Sequence, residues 1–393
     1  METQTRKRKI HSLTGRIDPK LMDKAYKAVK RNRGAAGIDK VTIELYARHV
    51  CTNLAKLMRL LKSRSYKPKP LKRVFIPKGK GKQRPLGIPV VECRIAQEVL
   101  RQLISPIFEK LFHENSYGFR PGRSCHQAVK KVREYIKDGY TYIVDADIKG
   151  FFDNIPHKLI MKELSSEIAD GNILDLIERF LKSGVMEEGQ LRPTTKGTPQ
   201  GGVISPLLAN IVLNKMDHEL EAKGYKFVRY ADDFVICCKT RQEAIEALEY
   251  VKDIIEKMGL ELSQEKTKIV NIKEGFDFLG FHFTNSGISI RDKSQEKFKE
   301  AVRKLTIRSR NLDSEAIENL NRVIRGTVNY FATPITNTVT QFKKLDEWIR
   351  VRLRSMKKKC ISKTNNWKIK IKHLERLGLL SCKRLCLERM NFT

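Results

Sequence analysis

The sequence predicts an α+β protein with antiparallel hairpins at its centre, followed by an all-helical unit. Strand-like and helix-like patterns alternate up to about residue 290. Residues 291–393 then carry helical periodicity, with 26 Lys and Arg residues against 10 Asp and Glu residues. We therefore expect a helical N-terminal extension at 1–66, an α+β region at 67–290 and a basic helical region with a short tail at 291–393.

The first third of the chain reads as short helices and one basic hairpin. Residues 18–62 have helical spacing, with Pro19 at a helix start. After the basic loop SYKPKP, residues 73–89 form two strand-like runs around the turn GKGK, so the tip of this hairpin carries several cations. Helical periodicity returns at 94–111 and 126–136.

The second third contains a strand that ends in acidic residues and a hairpin with acidic residues in its turn. The expected elements are, in order, a buried strand at 140–146, helical patterns at 157–182, the loop KGTPQGG, the helix-like string SPLLANIVLNKMDHEL, the hairpin FVRYADDFVICC, a helix at 241–258 and an alternating strand at 278–283. Beyond residue 291, apolar residues at helical spacing are Leu320, Val323, Ile324, Val328, Leu345, Trp348, Ile349, Val351 and Leu353.

The net charge of +33 points to a polyanionic partner, because phosphates bound by Lys and Arg release counterions. No apolar stretch reaches the length of about 18 residues that a membrane helix needs, and no signal peptide is visible, so we expect a cytoplasmic protein without membrane contact. The eight cysteines lack CxxC spacing, and Cys382 and Cys386 have no second pair, which favours reduced thiols over a zinc site.

Acidic residues at the ends of two predicted strands form a candidate metal site. Asp232 and Asp233 lie in the tight turn of FVRYADDFVICC, where two like charges repel unless a cation is bound. Asp145 and Asp147 share one face at the end of the earlier strand, and the carbonyl of Ile148 adds a hard oxygen ligand. Each string alone is better explained as a solvated turn. Together they predict two Mg²⁺ ions about 4 Å apart, with Mn²⁺ as an alternative ion.

Five ordered strings resemble the palm motifs of reverse transcriptases. They are DADIKGFFD, TPQGGVISPLLANIVL, YADD, LELSQEKT and FLGFHF. The upstream strings NRGAAGID, SYKPKPLKRVFIPKGKGKQRPLGIP and RIAQEVLRQLISPIFEKLFHENSYGFRPGRS are similar to the N-terminal extension and fingers of group II intron-encoded reverse transcriptases. The resemblance implies a right-hand polymerase fold, with fingers and palm at 67–290 and a thumb or maturase domain at 291–393.

The resemblance also implies roles for individual residues. Asp147, Asp232 and Asp233 would be catalytic, and together with the carbonyl of Ile148 they would bind the metal ions. Lys266 matches the family's proton donor to pyrophosphate, although Lys268 is close enough in sequence to leave that choice open.

The resemblance places the incoming nucleotide among four further side chains. Lys78 and Arg84 on the fingers hairpin match the cations that close on the triphosphate, and guanidinium geometry suits phosphate oxygens. Gln200 lies in the loop that approaches the nucleotide. Phe152 matches the bulky ring placed against the sugar C2′, which excludes ribonucleotides and predicts DNA synthesis.

The implied function is RNA-directed DNA polymerase activity, with an RNA template, a DNA primer, dNTPs and the protein's own group II intron RNA as partners. The string NRVIRGTVNYFATP resembles the maturase region, and no DNA-binding region or endonuclease motif follows it, so we expect neither independent DNA targeting nor second-strand cleavage. Two alternatives stay open: a splicing maturase whose polymerase activity is incidental, and a domesticated reverse transcriptase in phage defence or DNA repair. The sequence does not indicate the oligomeric state.

Overall fold

The computed structural model describes residues 9–79, 82–198, 201–359 and 369–391. The side chain of Lys78 and all of Gln200, two of the predicted nucleotide contacts, lie outside this description. The chain divides into two compact units, one made of Met1–Lys131 and Val144–Ile269 and the other of Val132–Ile143 and Val270–Thr393. Within the described ranges, no helix combines the length and apolar character that crossing a membrane requires.

Helices occur along the whole described chain. They are α1 (Pro19–Arg31), α2 (Ile43–Ala47), α3 (Val50–Lys62), α4 (Val91–Phe108), α5 (Cys125–Lys137), α6 (Phe151–Asn154), α7 (His157–Glu167), α8 (Gly171–Leu181), α9 (Ser205–Ala222), α10 (Arg241–Lys257), α11 (Asp292–Leu305), α12 (Ser314–Phe331), α13 (Val339–Lys358), α14 (Ile371–Arg376) and α15 (Cys382–Asn391). The predicted start at Pro19 is confirmed, because the Asp18 side chain accepts a hydrogen bond from the Leu21 N–H and caps α1.

The strands form three sheets. The strands are β1 (Leu71–Gly79), β2 (Lys82–Ile88), β3 (Tyr142–Asp147), β4 (Val185–Glu187), β5 (Gln190–Arg192), β6 (Lys226–Tyr230), β7 (Asp233–Cys238), β8 (Lys268–Asn271), β9 (Phe276–Phe278), β10 (Phe281–Thr284) and β11 (Gly287–Ile290). The sheet orders are β2-β1-β4-β5, β6-β7-β3-β8 and β11-β10-β9.

The predicted fingers hairpin is confirmed. β1 and β2 pair in antiparallel fashion, with Val74 opposite Leu86 and Ile76 opposite Arg84. On its other edge β1 pairs in parallel with β4, starting at Leu71 opposite Val185.

The predicted aspartate hairpin is also confirmed. β6 and β7 are antiparallel, and Tyr230 pairs with Asp233 across the turn formed by Ala231 and Asp232. The flanking apolar residues form part of the core, since Phe227, Val228 and Ile236 are fully buried. Burial on the faces of this hairpin therefore fixes which residues occupy the turn.

The helical patterns predicted at 157–182 are two helices, α7 and α8. α7 ends at Glu167 and α8 begins at Gly171. Asp170 lies between them and accepts hydrogen bonds from the backbone N–H groups of Asn172 and Ile173 and from the Thr14 N–H. This carboxylate starts the new helix, a local effect that apolar spacing does not reveal.

The alternating segment 278–283 was expected as one strand, and this was wrong. Leu279 and Gly280 both have positive φ, of 49° and 86°, so the chain reverses between β9 and β10. Glu188 and Gly189, with φ of 50° and 81°, make a similar turn between β4 and β5, two short strands that the sequence pattern did not reveal. Positive φ at both central residues is typical of a two-residue hairpin turn.

The helices of the second unit bury one apolar stripe each. α12 buries Leu320, Ile324 and Val328, and α13 buries Leu345, Ile349 and Leu353, as the spacing predicted. Val351 does not belong to this stripe, because its side chain is exposed.

Candidate active site

Two carboxylates meet at the ends of neighbouring strands in the first unit. Asp147 ends β3, Asp232 directly precedes β7, and β3 and β7 are adjacent in the sheet. Burial raises the pKa of the Asp232 carboxyl, and the nearby Asp147 carboxylate raises it further. The residue's own backbone N–H, Arg84 and Lys266 act in the opposite direction on that pKa. The Asp147 carboxylate is therefore close enough to affect the pKa of the Asp232 carboxyl.

Lys266 contacts the first of these carboxylates. Its ammonium nitrogen lies 2.6 Å from Oδ2 of Asp147. The segment that carries it is held by the Asp147 backbone, because the Ser263 N–H donates to the Asp147 carbonyl at 2.7 Å. Lys268 lies in β8 and is exposed.

The backbone of Ile148 is arranged so that its carbonyl points away from the neighbouring segment. Ile148 forms an isolated antiparallel bridge with Leu262, and the hydrogen bonds are made by its neighbours, since the Lys149 N–H donates to the Glu261 carbonyl. In a non-hydrogen-bonded pair of this kind, the residue's own N–H and C=O point outward. The Ile148 side chain is buried, so only its backbone is available for chemistry.

Asp233 and Arg84 flank the carboxylate pair. Asp233 is the first residue of β7 and its side chain is exposed. Arg84 is exposed on β2, and its charge lowers the pKa of the Asp232 carboxyl. The fingers hairpin therefore brings a cation within electrostatic range of Asp232.

Phe152 lies on α6, five residues after Asp147, and its ring is half-buried. It packs edge-on against Phe151 with ring centroids 5.5 Å apart. Its carbonyl accepts a hydrogen bond of 2.7 Å from the Thr198 N–H. The loop that contains Thr198 thus fixes the backbone of the residue predicted to select the sugar.

The glycine-rich loop approaches the fingers hairpin. Gly201 has φ of +110°, and a Cβ there would lie 2.4 Å from the Gly87 carbonyl oxygen of β2. Only glycine fits this close approach. The predicted contact Gln200 directly precedes Gly201 but lies outside the described residues.

Sequence reasoning missed two side chains that hold this region. The buried Gln97 of α4 accepts hydrogen bonds through Oε1 from the N–H groups of Val203 and Ile204, at 2.7 and 3.4 Å. Thr267 Oγ1 accepts from the Asp147 N–H at 3.5 Å.

The arrangement offers oxygen ligands for a hard cation. Among the described residues, no group of three or more His, Cys, Asp or Glu side chains is placed to hold a metal ion. Mg²⁺ usually takes one or two protein carboxylates and completes its shell with water and substrate phosphates. Two carboxylates and one outward carbonyl fit that pattern, and so they fit a metal that binds together with a nucleotide.

Two family models match consecutive parts of the chain. The model described as reverse transcriptase (RNA-dependent DNA polymerase) matches residues 76–283. The model of the group II intron maturase-specific domain matches residues 295–377.

Several curated proteins are similar over most of the chain. Protein YkfC of Escherichia coli K12 is 35% identical, over 67% of this chain and 80% of that protein. The group II intron-encoded protein LtrA of Lactococcus lactis subsp. cremoris is 29% identical, over 88% of this chain and 75% of that protein. The COX1/OXI3 intron 1 protein of Saccharomyces cerevisiae is 31% identical, over 71% of this chain and 39% of that protein.

Proposed function

The chain belongs to the group II intron reverse transcriptases with a maturase domain, and we propose that Asp147 and Asp232 hold the divalent ions of its polymerase reaction. It is an RNA-directed DNA polymerase. The observation that carries the proposal is the position of these two carboxylates at the ends of the adjacent strands β3 and β7, with the Lys266 ammonium 2.6 Å from Oδ2 of Asp147.

Reverse transcriptases normally use divalent metal ions, and we assign Mg²⁺ here because every ligand is an oxygen. Asp147 and Asp232 would be shared ligands, the Ile148 carbonyl a third, and Asp233 a supporting charge. When bound, the ions activate the primer 3′-hydroxyl and stabilise the charge on the leaving pyrophosphate.

The protein's cations act on the leaving group. In the reaction the primer 3′-oxygen bonds to the α-phosphorus of a dNTP while the bond to the pyrophosphate oxygen breaks. Arg84, with Lys78, would bind the triphosphate oxygens. Lys266 would then give a proton to pyrophosphate, and its contact with Asp147 supports Lys266 over Lys268 in that role.

Phe152 would select the sugar, and Gln200 would contact the nucleotide from the glycine-rich loop. The half-buried Phe152 ring lies on α6, five residues after Asp147. The Thr198 N–H donates to the Phe152 carbonyl, and this supports a rigidly held ring that selects the sugar by steric contact. A ring at C2′ rejects the ribose hydroxyl by its volume alone.

The proposed partners are an RNA template, a DNA primer and group II intron RNA. The basic second unit, which includes the maturase-specific match at 295–377, would bind the intron RNA that encodes the protein. Binding through phosphates positions the RNA, while any preference for one intron needs base or shape contacts.

The test is primer extension on an RNA template with dNTPs and Mg²⁺. We expect activity in the parent chain and a loss of more than about 100-fold in Asp147→Asn and in Asp232→Asn, because outer-shell changes alone cost roughly 10- to 100-fold. Asp175→Asn is the matched control, since this exposed acid of α8 pairs with Arg179.

Equal activity in the parent and in Asp232→Asn would contradict the metal role. An inactive parent that still binds intron RNA would instead favour a splicing maturase without working polymerase activity.

A further inference from the structure

A buried ion pair lies beneath the turn that carries Asp232. Arg229 of β6 and Asp217 of α9 both have side chains with 0% exposure. The Arg229 Nε–H donates to Oδ1 of Asp217 at 2.7 Å, and a second N–H donates to Oδ2. A buried ion pair adds little stability compared with apolar residues of the same volume. The other contacts of the Arg229 guanidinium therefore indicate its role.

The same guanidinium holds the residue before Asp232. Nη1 of Arg229 donates to the Ala231 carbonyl at 3.0 Å and to Oδ1 of Asn210 at 2.9 Å. Ala231 has φ of +60° and is buried. The left-handed conformation costs a residue with a Cβ roughly 1–2 kcal/mol. Such a conformation persists only where the surroundings fix it.

A second segment, residues 115–118, packs against the turn that carries Asp232. The Arg229 N–H donates to the Asn115 carbonyl at 2.9 Å, and the Tyr117 N–H donates to the Arg229 carbonyl at 2.8 Å. Asn210 donates through Nδ2 to the Gly118 carbonyl at 2.8 Å. A Cβ at Gly118 would lie 2.3 Å from the Ala231 nitrogen, so this segment touches the strained residue directly.

We propose that Arg229 is a positioning residue for the catalytic metal ions. Together with Asp217 and Asn210, it holds Ala231 in the left-handed conformation and so fixes the direction of the Asp232 carboxylate. Arg229 itself touches neither metal nor substrate. The inference rests on the proposed role of Asp232 as a metal ligand.

The test begins with Arg229→Lys. A single ammonium cannot pair with both Asp217 oxygens and also reach Asn210 and the Ala231 carbonyl. We expect the Mg²⁺ concentration at half-maximal primer extension to rise about 10-fold or more, as for other outer-shell changes. Mn²⁺ binding, followed by electron paramagnetic resonance without turnover, should weaken by a similar factor. The KM for dNTP at saturating Mg²⁺ and the Kd for the primer–template duplex should stay at the parent values.

Arg94→Lys is the matched control. Arg94 is another buried arginine of the first unit, and its Nε–H donates to the Pro89 carbonyl at 2.9 Å. It lies in α4 and lacks any hydrogen bond to Ala231 among the contacts of the described residues. We expect this variant to lose thermal stability. Its Mg²⁺ midpoint, the Mg²⁺ concentration at half-maximal primer extension, should be unchanged.

Ala231→Gly tests the mechanism, because glycine adopts the left-handed conformation without the steric cost. Added to Arg229→Lys, it should move the Mg²⁺ midpoint back toward the parent value. Asn210→Ser provides a second route if Arg229→Lys does not fold. It removes the bonds to Gly118 and Arg229 without leaving a charge unpaired, and it should raise the midpoint in the same direction.

Parental Mg²⁺ midpoints in the folded variants, or equal shifts in Arg229→Lys and Arg94→Lys, would overturn the positioning role. A failure of the underlying function looks different, because Asp232→Asn would then keep parental activity. An inactive Asp232→Asn together with a parental midpoint in Asn210→Ser would overturn the inference alone.

Discussion

At the scale of single residues, the site combines acids that repel with cations that compensate them. Burial and Asp147 raise the pKa of the Asp232 carboxyl, while Arg84 and Lys266 oppose that effect. Lys266 also pairs directly with Asp147. A metal ion bound at Oδ2 of Asp147 would displace this ammonium, and Lys266 would then be free to move toward the leaving group.

Phe152 carries the prediction on sugar choice. Phe152→Ala should reduce the preference for dNTP over rNTP by about 10- to 200-fold, the range that a steric contact in a pocket provides. The measurement is the ratio of kcat/KM for single dNTP and rNTP additions on an RNA template. Phe152→Tyr keeps the ring and should keep the preference. An unchanged ratio in Phe152→Ala would remove this residue from sugar selection.

Asp232 carries a prediction on stability and pH. Because burial raises its pKa in the folded state, the folded protein binds this proton more tightly than the unfolded chain. The corresponding stabilisation is present below the ordinary Asp pKa of about 3.9 and is lost as pH rises through the folded value. Without metal, Asp232→Asn should therefore melt at a higher temperature than the parent near pH 7.

The difference in melting temperature should shrink as the pH falls toward about 4, the ordinary range of an Asp carboxyl. Thermal unfolding in EDTA across this range measures it, with Asp175→Asn as the control for loss of an exposed acid. A parent that melts at a higher temperature than Asp232→Asn at pH 7 would show that the Asp232 carboxylate does not destabilise the metal-free fold.

The sequence indicates Asp232 as a candidate metal ligand but gives no sign of Arg229. Asp232 stands out because acids occupy a tight turn between apolar strands. Arg229 lies three residues before Asp232 in the same string, yet its partner Asp217 is 12 residues away on α9 and meets it only after folding. Such a pair has no local pattern.

At the scale of elements, helix starts depend on single carboxylates. Asp346 of α13 is 6% exposed and accepts hydrogen bonds from Ser381 Oγ and from the backbone N–H groups of Cys382 and Lys383, at 2.7, 2.7 and 3.0 Å. These contacts cap α15 from a neighbouring helix. Asp170 plays a comparable part for α8.

Asp346→Ala should therefore destabilise the second unit by about 2–3 kcal/mol, since it leaves buried donors without a charged acceptor. Asp313→Ala is the matched control, because Asp313 caps α12 from an exposed position and should cost about 1 kcal/mol. Urea unfolding followed by the fluorescence of the two tryptophans, Trp348 and Trp367, measures both losses. Equal losses in the two variants would refute the special role of the buried cap.

Periodicity predicted the hairpins β1–β2 and β6–β7 and most helices because burial on one face imposes it. It failed where a turn or a cap changes the chain direction within a continuous pattern. Leu279 and Gly280 interrupt an alternating run, and Asp170 interrupts a helical one. Both breaks depend on backbone conformation or on a hydrogen bond, and apolar spacing contains neither.

At the scale of the whole molecule, the charge of +33 governs association with nucleic acid. The logarithm of the RNA association constant should fall linearly with the logarithm of the salt concentration. The slope is roughly −0.7 for each phosphate contact on single strands. Replacing the exposed Lys343 and Lys344 of α13 by Gln should lower the magnitude of the slope by about 1.4 if both contact phosphates. A slope near zero for the parent would contradict binding through phosphates.

Lys252 and Lys257 of α10 are the matched control for that experiment. Both already pair with acids of their own helix, at 3.8 and 2.5 Å. Replacing them by Gln should leave the salt slope of RNA binding at the parent value.

The most direct test of the central claim is to count metal ions at the active site. Mn²⁺ bound to a complex of the protein, an RNA template, a chain-terminated primer and the next dNTP can be titrated by electron paramagnetic resonance. We predict about two ions for each parent chain, and fewer in Asp147→Asn and in Asp232→Asn. Parental stoichiometry and affinity in both variants would contradict the claim that these two carboxylates hold the catalytic ions.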